Sequence, residues 1–271
     1  MTTDRQARGD RSGLGGASAG RPRFKKIAFL TPRPGMALDA FHAYWRGTHG
    51  PTVANAPNYA AWRMRYAQNH RIGDGSVGGP VGAPFPYPGA AIFHLPGDGS
   101  NEAAYAASAT YREHVRVDEL NFIDMDRTIS MAAAEHVPRP GTGPVKLLII
   151  SARRAGLERA EFDRRLLAAC AAAGEFIDLL RGWTVNLVVP GTLTLPGARP
   201  AEGLAVDCVQ ELWFASERDL AAAFASAAYR EAVAPVEREL FAPDGLFSFR
   251  AREYVFFDQG RPTQSSISQR R

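Results

Sequence analysis

The sequence predicts an α+β fold in which two tandem ferredoxin-like βαββαβ units form a closed intramolecular α/β-barrel. The first observation is an internal repeat: ASATYRE, Ala107 to Glu113, returns as ASAAYRE, Ala225 to Glu231, 118 residues further on. The second is the predicted order of elements, strand-helix-strand-strand-helix-strand, which occurs twice. Such a unit leaves one face of its sheet bare, and two units in one chain can cover each other.

The chain divides into two units of ordinary domain size. Residues 138–144, PRPGTGP, are rich in Pro and Gly and form a stiff linker between the copies. We therefore place the first unit at 24–137 and the second at 145–257. Disordered tails are predicted at 1–23 and 258–271, because these segments lack apolar periodicity.

Hydrophobic patterns place the elements of the first unit. The alternation of Trp62, Met64 and Tyr66 with arginines has the period of two that is typical of a strand. The helix near residue 40 is amphipathic, with Asp39 close to its start. Strands are predicted at residues 25–32, 61–68, 89–95 and 127–137, and helices at 38–53 and 101–115.

The second unit repeats this order with more aliphatic strands. Its first strand is predicted at VKLLIISA, which is almost wholly apolar. Strands are predicted at residues 145–152, 183–189, 206–214 and 246–257, and helices at 157–180 and 217–233.

The basic residues are concentrated in the tails. The sequence pI is about 9.3, but residues 1–26 carry a net charge of +5 and residues 258–271 carry +2. Residues 27–257 therefore carry −3 of the total charge of +4. A nucleic-acid-binding fold is expected to hold its positive charge on folded elements, so a nucleic-acid partner is disfavoured.

Targeting and redox signals are not found in the sequence. No apolar run approaches the roughly 18 residues of a membrane span, and residues 1–23 lack the apolar core of a secretory signal. Cys170 and Cys208 match no metal-binding or redox spacing. We expect a cytoplasmic protein with reduced thiols and no membrane partner.

The segment FHAYWRGTHGP, residues 41–51, places aromatic side chains and an imidazole on one helix. Phe41, Trp45 and His49 are four residues apart, so they share one face of that helix. Such a face is either a core stripe with one hydrogen-bonded histidine or the wall of a site. Because Gly50-Pro51 follow, His49 is expected near a helix C-terminus.

This segment resembles the EthD domain of the dimeric α/β-barrel superfamily. The pattern F-x-x-Y-W-x-x-x-H-x-P is matched by Phe41, Tyr44, Trp45, His49 and Pro51. The family's second-helix region is similar to the spacing of Tyr111, Asp118 and Phe122. The resemblance implies a barrel that handles small molecules, with relatives in ether degradation and fungal polyketide tailoring, some of them classed as oxidoreductases.

The second copy departs from this motif. When Phe162 is aligned with Phe41, the positions of Tyr44, Trp45 and His49 hold Arg165, Leu166 and Cys170. All six histidines, at 42, 49, 70, 94, 114 and 136, lie in the first copy. We therefore expect one site, in the first unit, with the second unit as its degenerate mate.

His49 is the candidate catalytic residue, because it is the one side chain on its helix face that can transfer a proton near neutral pH. A structural histidine that binds backbone at a helix end is the alternative. The candidate substrate-binding residues lie on the same helix or on the strand after it: Phe41, Tyr44, Trp45, Trp62 and Tyr66. Core packing is the alternative for each of them.

Other features are assigned no catalytic role. Asp118 is expected at the surface or in a helix cap, with pairing to an imidazole as the alternative. His42 and His49 lie about 10 Å apart along a helix, too far to share one ion, so we predict no metal site. The loop from Gly73 to Gly89 is interpreted as a flap that carries Phe85 and Tyr87, or as a connection without a role.

The leading hypothesis is a cofactor-independent enzyme that acts on a small hydrophobic molecule, a class that includes aromatic and polyketide-like compounds. His49 would serve as general acid or base in an oxidation, cyclisation or dehydration. The alternatives are a non-catalytic binding or accessory protein of a degradation or biosynthetic pathway, and a structural barrel without a ligand. We expect a monomer with pseudo-dimeric halves.

Overall fold

The computed structural model describes residues 23–73, 83–191 and 205–263. Most of both predicted tails (1–22 and 264–271) and part of the predicted flap (74–82) lie outside the described residues. No helix in the described part is long and apolar enough to cross a membrane. The strands are β1 (Arg23–Phe29), β2 (Arg65–Arg71), β3 (Ala83–Pro84), β4 (Gly89–His94), β5 (Ile129–Arg139), β6 (Val145–Arg153), β7 (Gly182–Val189), β8 (Cys208–Phe214), β9 (Phe241–Asp258) and β10 (Arg261–Pro262).

The helices alternate with these strands. The α-helices are α1 (Leu38–Tyr44), α2 (Gly50–Ala54), α3 (Glu102–Ala107), α4 (Arg116–Phe122), α5 (Arg159–Ala171), α6 (Glu175–Asp178), α7 (Glu217–Ala225) and α8 (Ala234–Leu240). Shorter turns join some of them: π-helical turns at Trp45–His49, Thr110–Val115 and Tyr229–Val233, and a 3₁₀ turn at Tyr59–Ala61.

The main strands form one closed barrel. Its described strands follow the order β9-β2-β4-β1-β5-β7-β8-β6, and β6 pairs with β9 to close it. The first unit supplies β2-β4-β1-β5 and the second supplies β7-β8-β6-β9, so both sheets have the same internal order. The units join at two antiparallel edges, β5 on β7 and β9 on β2. Two ferredoxin-like units therefore form an intramolecular dimeric α/β-barrel, and the predicted fold class is confirmed.

Strand alternation separates two kinds of core. Along β1, Ile27 and Phe29 belong to the cluster inside the barrel, whereas Ala28 packs in the cluster beneath the helices of the first unit. Phe85, which we assigned to a flap, is instead buried in the barrel, where its ring stacks on Phe249 with centroids 4.9 Å apart. The pairing of β3 with β9 holds this segment against the barrel.

A chain of buried ion pairs occupies the barrel interior beyond the apolar cluster. Lys25 on β1 binds Glu135 on β5 at 2.6 Å and Glu211 on β8 at 2.7 Å. Lys146 on β6 binds the other oxygen of Glu211 at 2.7 Å and Glu253 on β9, also at 2.7 Å. Signs alternate along the chain, and Glu211 joins a lysine of each unit. The network therefore ties the two sheets together from inside.

The repeated ASA(T/A)YRE segments adopt the same local structure. Ser108 and Ser226 both have extended backbone, with φ/ψ of −71/154° and −70/155°. Each hydroxyl accepts a hydrogen bond from the backbone N–H three residues on, that of Tyr111 or Tyr229. Each serine thus ends one helix and starts the π-helical turn of the next.

The helix that carries the aromatic segment does not end at Gly50-Pro51 as expected. It continues through a π-helical turn into α2 and ends at Asn55. Proline normally breaks a helix because its ring collides with the carbonyl four residues back and it lacks an N–H. The π-helical turn widens the helix just before Pro51, and this accommodates the ring. His49 therefore lies mid-helix, and the expected position at a C-terminus is wrong.

The strand predicted at 61–68 begins only at Arg65. Asn58 has a left-handed backbone (φ 57°) and leads into the 3₁₀ turn, so Trp62 and Met64 precede the strand. Met64 is 54% exposed. The alternation in the sequence is misleading, because Arg63 is buried and Met64 is not. The Arg63 guanidinium forms two hydrogen bonds to Glu102, at 2.7 and 3.0 Å.

The boundaries of the units also differ from the predicted ones. β5 runs to Arg139, two residues into the predicted linker. The predicted C-terminal tail starts inside a hairpin, since Arg261 pairs with Asp258 across Gln259 and Gly260. Both turn residues have positive φ, 48° and 77°, as a two-residue type I′ turn requires. The Asn/Asp-Gly signal of such turns is missing here, which explains why the hairpin escaped the sequence pattern.

Candidate active site

The π-helical turn fixes the position of His49. The N–H of Gly50 donates to the carbonyl of Trp45, five residues back, which is the bond that defines the wider turn. Gly50 packs so tightly on Phe256 of β9 that a Cβ atom there would overlap the Phe256 ring. The glycine therefore lets the helix approach the sheet closely, and it holds the preceding imidazole at this helix–sheet boundary.

His49 and Asp118 form a buried dyad. His49 Nδ1 lies 2.6 Å from Asp118 Oδ2, although 69 residues separate them in the chain. The two residues are only 4% and 8% exposed. Tyr44 donates its hydroxyl hydrogen to Asp118 Oδ1 at 2.8 Å, and Asn121 donates to the Tyr44 hydroxyl at 3.3 Å. The expectation that Asp118 lies at the surface or in a cap is therefore wrong.

The environment favours the ionised carboxylate. Burial alone would raise the pKa of Asp118, but the hydrogen bond and charge of His49, with further hydrogen bonds from Tyr44 and Asn121, lower it below its ordinary value. The pKa of Tyr44 is raised, first by burial and then by its bond to Asp118, so its hydroxyl keeps its proton. Asp118 thus acts as an acceptor on both of its oxygens.

An ionised Asp118 selects one tautomer of His49. A carboxylate can only accept, so in the neutral form of the imidazole Nδ1 carries the proton and Nε2 has the free lone pair. Nε2 has no hydrogen-bond partner among the described residues. The ring is held in place by Phe122, whose centroid is 4.8 Å away, and by the edge of Tyr66 at 6.5 Å. In its neutral form, an imidazole held in this way can act as a general base.

The first half of the chain can now be identified from this geometry and from known domains. A family model of the EthD domain matches residues 33–126, which include the whole of the dyad. Residues 33–126 form an EthD domain. No curated protein matches the chain.

Solved structures share the barrel architecture to which the EthD domain contributes. A candidate monooxygenase from Lactobacillus acidophilus NCFM has a TM-score of 0.54 at 7% identity, over 90% of this chain and 98% of its own. An anthrone oxidase-like protein has a TM-score of 0.52 at 11% identity, over 88% and 94%. A candidate monooxygenase from Fusobacterium nucleatum has a TM-score of 0.53 at 6% identity, over 87% of this chain and 92% of its own. At these identities the likeness concerns the fold.

The aromatic face of the EthD helix is packed. Phe41 and Trp45 are fully buried, and the Phe41 ring contacts the rings of Trp45 and Phe122 at 5.5 and 5.4 Å. We predicted that Phe41 and Trp45 line a cavity, but here both side chains contribute to the core beneath the helices. Their role in binding a substrate stays a prediction.

The remaining predicted residues of the EthD domain occupy different places. Tyr66 lies on β2, is fully buried, stacks on Phe93 at 4.6 Å and faces the His49 ring. Trp62 directly follows the 3₁₀ turn and packs against Tyr105 with ring centroids 5.6 Å apart, so it does not share a strand face with Tyr66. Tyr44, assigned to binding or packing, is hydrogen-bonded to the dyad.

Sequence reasoning missed a pair of hydrogen-bonded histidines near the His49–Asp118 dyad. His42 Nδ1 lies 2.8 Å from His70 Nδ1, and His70 Nε2 lies 2.8 Å from Gln68 Oε1. The Gln68 amide then donates to the Trp45 carbonyl and to the Tyr66 hydroxyl. Tyr66, Gln68 and His70 alternate along one face of β2, so polar residues spaced two apart on a buried strand were the available signal.

The His42–His70 pair has no third potential metal ligand beside it among the described residues. The described residues contain no group of three or more His, Cys, Asp or Glu side chains that could hold an ion. Burial lowers the pKa of both imidazoles, that of His70 to about 3, with the charges of neighbouring cations also lowering it. The His70 ring, which is neutral, stacks on the Trp45 ring with centroids 4.2 Å apart. This contact supports the start of the π-helical turn.

The second unit lacks the dyad of the EthD domain. Cys170 occupies the position of His49 and Val236 that of Asp118. Cys170 is buried, and burial followed by the charge of Glu237 raises the pKa of its thiol to about 12. The thiol is therefore protonated and chemically inert, because only the thiolate is a strong nucleophile.

Proposed function

We propose that this protein is an enzyme that acts on a small hydrophobic molecule, aromatic or polyketide-like, by proton transfer at His49 of the EthD domain. The buried His49–Asp118 bond of 2.6 Å carries the proposal. A histidine held only for packing needs no ionised carboxylate on one nitrogen and no unpaired lone pair on the other. Together these features match a general base and its orienting acid.

In the proposed mechanism Nε2 of His49 takes a proton from a phenol or from an acidic C–H of the substrate. Asp118 stabilises the imidazolium that results, and Tyr44 and Asn121 keep Asp118 in position. Tyr66, whose edge faces the ring, and Phe41 and Trp45 on the same helix face as His49 would contact the substrate, with Trp62 further out. The substrate anion would then cyclise, eliminate water or react with dioxygen.

Oxidation is the outcome that the structural neighbours favour, since two are candidate monooxygenases and one is anthrone oxidase-like. In such a reaction an acidic methylene group would lose both hydrogens and become a carbonyl group. One atom of dioxygen would enter the carbonyl and the other would leave as water with the two hydrogens. Deprotonation makes the carbon electron-rich enough to transfer electrons to dioxygen directly, so the proposal includes no bound cofactor.

Oxygen uptake with a hydroxylated anthrone tests the proposal. We expect His49→Gln and Asp118→Asn to lower the rate by about 10²-fold or more, the usual size of an acid–base contribution. Tyr44→Phe should have a smaller effect because Asp118 keeps its bond to His49. His114→Gln is the matched control, since His114 is exposed on a neighbouring helical turn. A folded His49→Gln protein with full activity would rule out the proposed role.

A non-catalytic binding protein is the second candidate, and the near-complete burial of the dyad favours it. His49 has only 4% of its surface exposed, which leaves little room for a reacting group. Wild-type protein that binds the anthrone, but neither consumes oxygen nor releases a changed product, would support this candidate.

A further inference from the structure

The helix layer of the second unit contains an open cleft. Its volume is about 650 Å³, within the range of sites for small ligands. It lies between the last helical segment and the start of β9, far in sequence from the dyad. The lining includes Phe224, Tyr229, Ala234, Glu237, Phe241 and Leu246.

This cleft lies where the second unit lacks a positive charge that the first unit has. In the first unit Tyr111 donates to Glu119 at 2.7 Å, and Arg116 lies 3.8 Å from the same carboxylate. The second unit keeps the hydrogen bond, since Tyr229 donates to Glu237 at 2.6 Å. The position of Arg116 is taken by Ala234. A long cation is thereby replaced by a methyl group that faces the cleft.

Glu237 is left without the cation that its counterpart has. Burial raises the pKa of Glu237 to about 7, against the opposing effects of the Tyr229 hydrogen bond and the charge of Arg238. Much of this carboxyl is therefore protonated near neutral pH and repels an anion only weakly. It offers hydrogen-bonding groups at the inner end of the cleft.

The rim of the cleft is positive. Arg154, Arg230 and Arg238 all contribute to the lining. Arg154 is exposed, and its Nη2 donates to the backbone carbonyl of Arg238 at 2.5 Å, which fixes its guanidinium at the rim. Apolar walls between a hydrogen-bonding inner end and a guanidinium rim fit a flat molecule with a hydroxyl at one end and a carboxylate at the other.

We propose that this cleft is a binding site for a hydroxylated aromatic carboxylate. The ring would lie between Phe224, Phe241 and Leu246, the carboxylate would pair with Arg154, and the hydroxyl would bond to the Tyr229–Glu237 pair. The site is separate from the dyad, and it binds without reacting because the second unit has no base at the position of His49.

Calorimetric titration with 6-hydroxy-2-naphthoate tests the site. We expect saturable one-to-one binding, weakened about tenfold by Arg154→Gln through loss of a charge-assisted bond. Ala234→Arg should abolish binding, since it restores the side chain that fills this position in the first unit. The analogues 2-naphthol and 2-naphthoate, which lack one polar group each, should both bind more weakly than the parent compound.

Two controls make the test specific. Arg218→Gln removes an exposed arginine outside the cleft and should leave affinity unchanged. His49→Gln should also leave it unchanged, which separates this site from the dyad. Circular dichroism melting verifies that Ala234→Arg is folded. No binding by the wild-type protein, or binding that both Ala234→Arg and Arg154→Gln leave intact, would overturn the proposal.

Discussion

Replacing Glu211 with Gln tests whether the buried ion chain holds the barrel closed. Glu211 is 1% exposed and accepts from Lys25 and Lys146, each at 2.7 Å, and from Asn186 at 3.0 Å. The amide keeps the shape of the side chain but removes its charge and turns one acceptor into a donor that faces an ammonium group.

The expected loss of stability depends on the carboxylate partners that each lysine still has in the variant. Lys25 retains Glu135 and Lys146 retains Glu253, so neither ammonium is left alone. Glu253 also pairs with Arg65 at 3.1 Å, so without the charge of Glu211 three buried or half-buried cations share two carboxylates. Removing one partner of a buried pair costs about 3–5 kcal/mol. With a urea m-value of about 3 kcal/mol/M, the unfolding midpoint should fall by about 1–1.7 M.

An exposed pair in the same protein is the matched control. Glu161 binds Arg164 at 2.7 Å, the same distance, but its side chain is 41% exposed. Glu161→Gln should therefore cost less than about 1 kcal/mol. If Glu211→Gln costs no more than Glu161→Gln in urea titrations, the ion chain does not stabilise the barrel and the reasoning fails.

The pH dependence gives an independent check. Burial by itself would raise the pKa of Glu211, but the two lysine ammonium groups outweigh burial and hold it well below its ordinary value. A carboxylate with a lowered native pKa stabilises the fold above its unfolded pKa, and the contribution is lost as the pH falls through the native one. The difference in unfolding free energy between the wild-type protein and Glu211→Gln should thus be constant from about pH 6 to 8 and decrease at acidic pH.

Three further outcomes are expected. Because both sheet edges of each unit are paired within the chain, light scattering should give a monomer near 29.4 kDa, and an obligate dimer would contradict the proposed assembly. Gly50→Ala should lower stability by about 1–3 kcal/mol in urea unfolding, since its Cβ would overlap Phe256; an unchanged midpoint would contradict this packing. Truncation after Thr263 should leave the melting temperature unchanged, whereas truncation after Asp258 should lower it, because β10 and the Thr263–Phe256 hydrogen bond are lost; equal melting temperatures would show that the hairpin contributes nothing.

The fold was predictable because its signals are local and repeated. An apolar strand such as VKLLIISA, or an amphipathic helix, can be recognised from about ten residues of sequence. The same order of elements in the second copy then supports the assignment made in the first. Closure of the barrel follows from two half-covered sheets in one chain. Local patterns do not contain the points at which pairing begins, so the start of β2 at Arg65 was misplaced. The hairpin beyond Asp258 was missed and assigned to a tail because its turn lacks the Asn/Asp-Gly signal.

The dyad was only half predictable. His49 stands out by its helix face and motif, but Asp118 is 69 residues away, and its contact depends on how α4 packs against the π-helical turn. Trp62 was misassigned for a related reason. An arginine in an alternating pattern is read as outward-facing, yet Arg63 is 2% exposed because Glu102 neutralises it and Tyr105 covers it at 4.0 Å. Such tertiary pairing overrides a local pattern.

Comparison of the two units separates the features that both have from those that only the first has. Both keep the serine-capped π-helical turn and the Tyr–Glu hydrogen bond, so these serve the packing of helix on sheet. Only the first unit has an imidazole facing a carboxylate. A residue needed for packing should persist in both units, whereas a catalytic pair is needed once. The joint replacement of His49 and Asp118 by Cys170 and Val236 is therefore what the proposed single active site on a pseudo-symmetric barrel predicts.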